Sequence, residues 1–186
     1  MRDPKRVAIL ISGRGSNMRA LVEQANGYDV VLVASNKPNA EGVAWAKHRR
    51  LQTWALESKG FGKEEYDRLL SNELDRHQVG TIALAGFMRI LSPWFVDQWR
   101  GRILNIHPSL LPKYRGLDTH ARAIEAGDAV SGCSVHIVTD ELDAGEVLGQ
   151  AEVPIEPSDT PSSLEQRVLA AEHRLYPKVL SEFVSR

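Results

Sequence analysis

The segment "NIHPSLLPKYRG", residues 105–116, places an amide and an imidazole two positions apart, with prolines following at 108 and 112. Side chains two apart on a strand face one side, so Asn105 and His107 are expected to project together. An Asn side chain carries two N–H donors, and a His gives or takes a proton near neutrality. That pair suits a reaction in which an oxygen gains charge while a proton moves. Pro108 and Pro112 would stiffen the loop and keep both side chains aimed. The other use for such a segment is a buried polar turn, in which both side chains satisfy loop carbonyls.

A second source of chemistry is "TDELDAGEVL", residues 139–148. Asp143 sits in "LDAG", a tight-turn sequence. A carboxylate near His107 would hold one tautomer and favour the imidazolium form. Spacing equally allows a solvated acidic hairpin loop.

The third is "SGRGSN", residues 12–17. A glycine loop between a strand and a helix aims backbone N–H groups and the positive helix end at one point, which suits a phosphate. Ser16 and Asn17 would add side-chain donors; alternatively the glycines only make a turn and Asn17 caps the helix. A dinucleotide fits less well. The third glycine of G-x-G-x-x-G is missing, and the second strand ends in Ala34-Ser35-Asn36 without an acid for a ribose diol. A phosphomonoester is favoured.

The elements that must carry these groups alternate along the chain. "VAILIS" (7–12), "DVVLVAS" (29–35), "QTWAL" (52–56), "TIALAG" (81–86) and "RILNIH" (102–107) read as buried strands. Helical stripes over 18–25, 41–50, 63–77 and 92–99 lie between them. A further helix is expected over 119–127, closed by Gly127. Residues 131–140 and 145–155 read as an antiparallel pair added at the sheet edge. A long C-terminal helix follows, which Pro177 is expected to bend or break. The expected fold is α/β: a Rossmann-like mixed, mostly parallel sheet with helices on both faces. Asn105 and His107 then lie at the carboxyl end of a central strand, where open α/β sheets bind ligands.

With 186 residues the chain suits one domain, 1–186. A net charge of -1 argues against nucleic-acid or anionic-membrane partners. One cysteine, Cys133, excludes an internal disulfide and fits a reducing cytoplasm. The apolar run Val7–Ile11 is too short for a signal h-region or a membrane span. The six histidines lack zinc-helix spacing, so no metal is expected.

Five blocks in order, "LISGRGSN", "LAGFMRILSP", "ILNIHPSLLPKYRGL", "GCSVHIVTDELDAG" and "EHRLYP", cover most of the chain. Through them it resembles the phosphoribosylglycinamide formyltransferase family, folate-dependent enzymes of purine synthesis. The resemblance implies formyl transfer from 10-formyltetrahydrofolate, as cosubstrate, to the amine of glycinamide ribonucleotide. It implies a catalytic set of Asn105, His107 and Asp143. It places the ribonucleotide phosphate on Gly15, Ser16 and Asn17, with further contacts from Leu169, Ala170, Ala171 and Glu172. Folate contacts map to Lys63, to Met88, Arg89, Ile90 and Leu91, to Asn105, and to Thr139, Asp140, Glu141, Leu142 and Asp143. The N-terminal half would then hold the nucleotide phosphate and the C-terminal half complete the folate and catalytic site. A monomer or a homodimer is compatible with it.

Two departures stand out. Lys63 occupies a position where some relatives carry an arginine, keeping the charge without the bidentate fork. Asp118 replaces a histidine found in some relatives. A methionyl-tRNA formyltransferase would show a basic character and a C-terminal RNA-contacting domain. A formyltetrahydrofolate deformylase would show an N-terminal regulatory domain and a second histidine where Pro108 stands. A non-enzymatic nucleotide-binding module would use the glycine loop but not Asn105, His107 and Asp143 together.

Overall fold

The strand β1 (Arg6–Ile11) is apolar at successive positions because both of its faces are covered. Val7, Ile9 and Ile11 enter one core, while Ala8 and Leu10 enter a second on the opposite face. This is the reading of a continuous apolar run that a doubly covered sheet requires. The computed structural model describes residues 2–186.

Seven strands form one sheet in the order β3-β2-β1-β4-β5-β6-β7. Here β2 is Asp29–Ser35, β3 Thr53–Ala55, β4 Thr81–Leu84 and β5 Ile103–His107. All neighbours from β3 to β5 pair in parallel. The last two strands, β6 (Val130–Ile137) and β7 (Val147–Pro154), pair antiparallel, which makes the sheet mixed at one edge. Chain order reverses at β1, which lies between β2 and β4. That reversal opens a crevice beyond the carboxyl ends of β1 and β4.

Helices cover both faces. The first core holds Met18 and Leu21 of α1 (Ser16–Glu23), Val43 and Ala46 of α2 (Glu41–His48), and Leu164, Val168, Tyr176 and Leu180 of α6 (Pro161–Val184). The second holds Tyr66, Leu70 and Leu74 of α3 (Lys63–Arg76) and Phe95 and Val96 of α4 (Pro93–Gln98), with Trp99 after it. Full burial of each aliphatic side chain contributes about 1.5–3 kcal/mol. The Ser-Pro start of α4 is a side-chain cap: Ser92 Oγ accepts from the Phe95 N–H at 3.2 Å. The short helix α5 (Thr119–Glu125) is followed by Gly127 at φ 69°.

Two sequence expectations need correction. The first helix begins at Ser16, two residues before its apolar stripe, and ends before Ala25. Gly15, at φ 74°, is its N-cap. Pro177 does not break the last helix, which is continuous from 161 to 184. A proline leaves the carbonyl four residues back without its helical donor. Here that carbonyl belongs to His173, and Gln24 Nε2 donates to it at 3.0 Å. Tyr176 also pins the helix to the sheet, donating from its hydroxyl to the carbonyls of Leu84 (3.0 Å) and Leu104 (3.1 Å). No helix among the described residues is long and apolar enough to cross a membrane.

Candidate active site

Register brings the reactive groups together at the carboxyl end of β5. The antiparallel pairing sets Asn105 opposite His136 and His107 opposite Ser134. Asn105 Nδ2 lies 3.3 Å from His136 Nε2. Asp143, on the loop between β6 and β7, reaches back between the two imidazoles. Its Oδ2 is 3.3 Å from His107 Nδ1, and its Oδ1 is 3.5 Å from His136 Nε2. The Gly116 N–H also donates to Asp143 Oδ2 at 3.0 Å. Asp143 adopts a left-handed backbone, φ 49°, which aspartate tolerates better than most residues.

The remaining ring nitrogens face carbonyls. His107 Nε2 donates to Tyr114 O at 2.9 Å, and His136 Nδ1 donates to Ile137 O at 2.9 Å. A carbonyl only accepts, so each of these nitrogens carries hydrogen. A second hydrogen on either ring then points at Asp143 and completes an ion pair. Burial alone would raise the Asp143 carboxyl. The hydrogen bond from His136, the Gly116 N–H and the field of both imidazoles outweigh it and hold the group below the usual carboxylate range. The loop bearing His107 is itself anchored. Ser134 Oγ donates to Ser109 O at 2.6 Å and accepts from the Leu111 N–H at 3.0 Å.

The glycine loop lies beyond β1. The left-handed backbone of Gly15 favours glycine, and a Cβ there would also crowd Met18 Cε at 2.9 Å and Gly42 Cα at 3.2 Å. The first turn of α1 has no side-chain cap and no acidic residue, leaving its N–H groups to the loop mouth. Asn17 turns inward rather than to that mouth: its Nδ2 donates to Glu172 Oε2 at 2.7 Å, while its Oδ1 is buried without a partner.

Glu172 is only 6% exposed. Desolvation pushes its carboxyl from 4.5 up to about 7; Asn17 offsets this, and Glu165 adds to it. The folded value exceeds the unfolded one, so the protonated group favours folding below pH 4.5. That contribution is lost as pH rises through about 7. The stability of wild type relative to Glu172→Gln should therefore fall by about 3 kcal/mol between about pH 4 and about pH 8. Urea denaturation of both proteins across that range checks it; a difference independent of pH would contradict it. Of its neighbours, Ala171 packs into the first core, Leu169 is half-buried and Ala170 is exposed.

The segment after β4 divides its side chains. Met88 (75% exposed) and Ile90 (69%) stand out at the carboxyl edge, whereas Leu91 packs into the second core. Arg89 turns back toward α3, donating to Lys63 O at 2.8 Å, lying 3.4 Å from Asp67 Oδ1 and covering the Tyr66 ring. Its guanidinium therefore holds the loop, and Lys63, at the first position of α3, is joined to it by backbone. Leu142 and Leu117 are also exposed, on loops that the Gly116–Asp143 hydrogen bond draws together. Thr139 donates to Glu141 O, and Glu141 accepts from Arg115; Asp140 is exposed.

The chain has close relatives. Residues 5–180 match the family described as formyl transferase. The phosphoribosylglycinamide formyltransferase of Escherichia coli K12 is 46% identical over 182 residues, 95% of this chain and 86% of that protein. The chain belongs to the phosphoribosylglycinamide formyltransferase family. A crystal structure of the Brucella melitensis formyltransferase superposes with a TM-score of 0.93 at 46% identity, covering 98% of this chain and 96% of that one. The trifunctional purine biosynthetic protein adenosine-3 of Drosophila melanogaster is 48% identical over 188 residues. This chain spans about 14% of the length of that fly protein.

Within this formyltransferase fold, sequence reasoning missed His136. Alternation assigned Cys133, Val135 and Ile137 to the core, which leaves His136 on the opposite face. Only the β5–β6 register, which cannot be read from one strand, sets it against Asn105. The carbonyl of Tyr114 and the N–H of Gly116 escaped notice for a similar reason, because loop backbone has no sequence signature.

Proposed function

We propose that this formyltransferase moves the formyl group of 10-formyltetrahydrofolate to the primary amine of glycinamide ribonucleotide. The products are formylglycinamide ribonucleotide and tetrahydrofolate, a step of de novo purine synthesis, and residues 1–186 act as one domain. The observation that carries the reading is the Asp143 carboxylate at 3.3 Å from His107 Nδ1, beside Asn105, at the carboxyl edge of the sheet.

Attack of the amine on the formyl carbon gives a tetrahedral carbon bearing an oxyanion. Asn105 Nδ2 donates to that oxygen, exchanging its contact with His136 for the ligand. His107, with Asp143 behind it, supplies positive charge beside the oxyanion, and once its Nε2 exchanges the Tyr114 carbonyl for the ligand or a bridging water it relays the proton that the amine must lose and the folate nitrogen must gain. No covalent enzyme intermediate is needed, and Cys133 stays in the core, its thiol pushed up to about 12 by burial. Met88, Ile90 and Leu142 offer apolar side chains to the pterin and benzoyl rings. Arg89 contributes backbone to that loop, since its side chain is engaged with α3.

The ribonucleotide phosphate sits on the glycine loop, against the N–H groups of Gly15, Ser16 and Asn17. The dephosphorylated nucleoside should therefore bind at least tenfold more weakly, a loss of about 1.4 kcal/mol or more. Competition against the ribonucleotide measures it, and equal affinity would remove the anion site. The activity itself is tested by incubating the protein with ribonucleotide and 10-formyltetrahydrofolate and following tetrahydrofolate release. Release with a tRNA acceptor alone, and none with the ribonucleotide, would overturn the assignment.

A further inference from the structure

Ser12 has no part in the chemistry above, yet it is 5% exposed and joins three segments. Its N–H donates to Gly86 O at 3.0 Å. Its Oγ accepts from the Met88 N–H at 2.8 Å and donates to Asn36 Oδ1 at 2.5 Å. A separation of 2.5 Å suits O–H···O and not N–H···O, which sets the Asn36 amide with its oxygen toward the serine. Asn36 is itself 6% exposed and follows β2.

The location matters. Ser12 is the first residue of the glycine loop, ahead of the residues placed on the phosphate, and Gly86 and Met88 open the loop that carries Ile90. These loops leave β1 and β4, neighbours at the point where strand order reverses. The hydroxyl therefore adds a side-chain tie between the phosphate loop and the folate loop to the backbone bond from the Ser12 N–H to Gly86 O. Gly86, at φ 74° with open space where a Cβ would stand, gives the second loop freedom that the serine removes.

We propose that Ser12 is a positioning residue that makes the phosphate loop and the folate loop respond as one unit, so that each substrate raises the affinity for the other. This rests on the formyl-transfer reading. Without the hydroxyl, the Met88 N–H and Asn36 Oδ1 lose their partner inside the protein, and the loop settles wherever both find another. The ordering that one ligand imposes no longer benefits the second. Such coupling is reciprocal for binding.

The test measures the dissociation constant of tetrahydrofolate, which carries no formyl group, with and without saturating ribonucleotide. Wild type should show a ratio of about fivefold or more, within the usual range for coupled sites. Ser12→Ala should bring the ratio close to one while both ligands still bind, and Ser12→Thr, which keeps the hydroxyl, should restore it. In turnover, Ser12→Ala should raise the folate KM and leave kcat at saturation nearly unchanged. A purely structural serine would lower the melting temperature without altering the ratio. Asn36→Ala keeps the Met88–Ser12 bond but frees the hydroxyl that Asn36 orients, and should lower the ratio part of the way, which keeps the test decisive if Ser12→Ala does not fold. A ratio near one in wild type, or an unchanged ratio in the folded variants, would overturn the inference alone. Binding of neither ligand by wild type would overturn the formyl-transfer reading with it.

Discussion

Replacing Asn105 by alanine should lower turnover by roughly 10²–10³ while ribonucleotide affinity stays within about threefold. The reason is differential binding. The ground-state formyl oxygen carries little charge, whereas the tetrahedral oxygen carries a full one, so a donor aimed at it acts mainly in the transition state. Asn105 Nδ2 already lies near this point, 3.3 Å from His136 Nε2, and little rearrangement is needed to redirect it. Single-turnover rates with both substrates saturating, together with a binding titration of the ribonucleotide, separate the two effects. Turnover within about threefold of wild type would remove Asn105 from the oxyanion role.

Asp143→Asn should have an effect on the order of 10²–10⁴ in turnover, the usual contribution of proton transfer by a positioned group. The carboxylate lies between two imidazoles and accepts the Gly116 N–H, so an amide of the same shape preserves much of the loop geometry. What it cannot preserve is the negative charge opposite His107. A positive His107 ring facing an amide has no opposite charge beside it, so it is held less well against the developing oxyanion. A variant with near wild-type turnover would show that Asp143 only shapes the loop.

Much of the fold was legible because the physics was local. The parallel strands are doubly covered, so β1 and β2 read as continuous apolar runs, and the Ser92-Pro93 start of α4 announces itself by its cap. Pro177 does not break its helix, because a distant partner that the local sequence does not show, Gln24, takes the orphaned carbonyl. The site was legible in part. Strand periodicity puts Asn105 and His107 on one face, while their expected role, like that of Asp143, came from the family resemblance. His136 needed the antiparallel register, and Arg89 needed knowledge that α3 lies behind its loop. The family resemblance implied a ligand role for Arg89; packing assigns its side chain to holding Lys63 and Asp67.

The most direct measurement is a crystal structure with ribonucleotide and tetrahydrofolate bound together. Asp143 should keep its carboxylate within direct or single-water reach of the His107 ring, with Asn105 Nδ2 turned toward the space where the formyl oxygen would sit between amine and folate nitrogen. A loop that carries Asp143 away from His107 in that complex, or an Asn105 amide still bound to His136 with both ligands in place, would contradict the chemistry assigned to these three side chains.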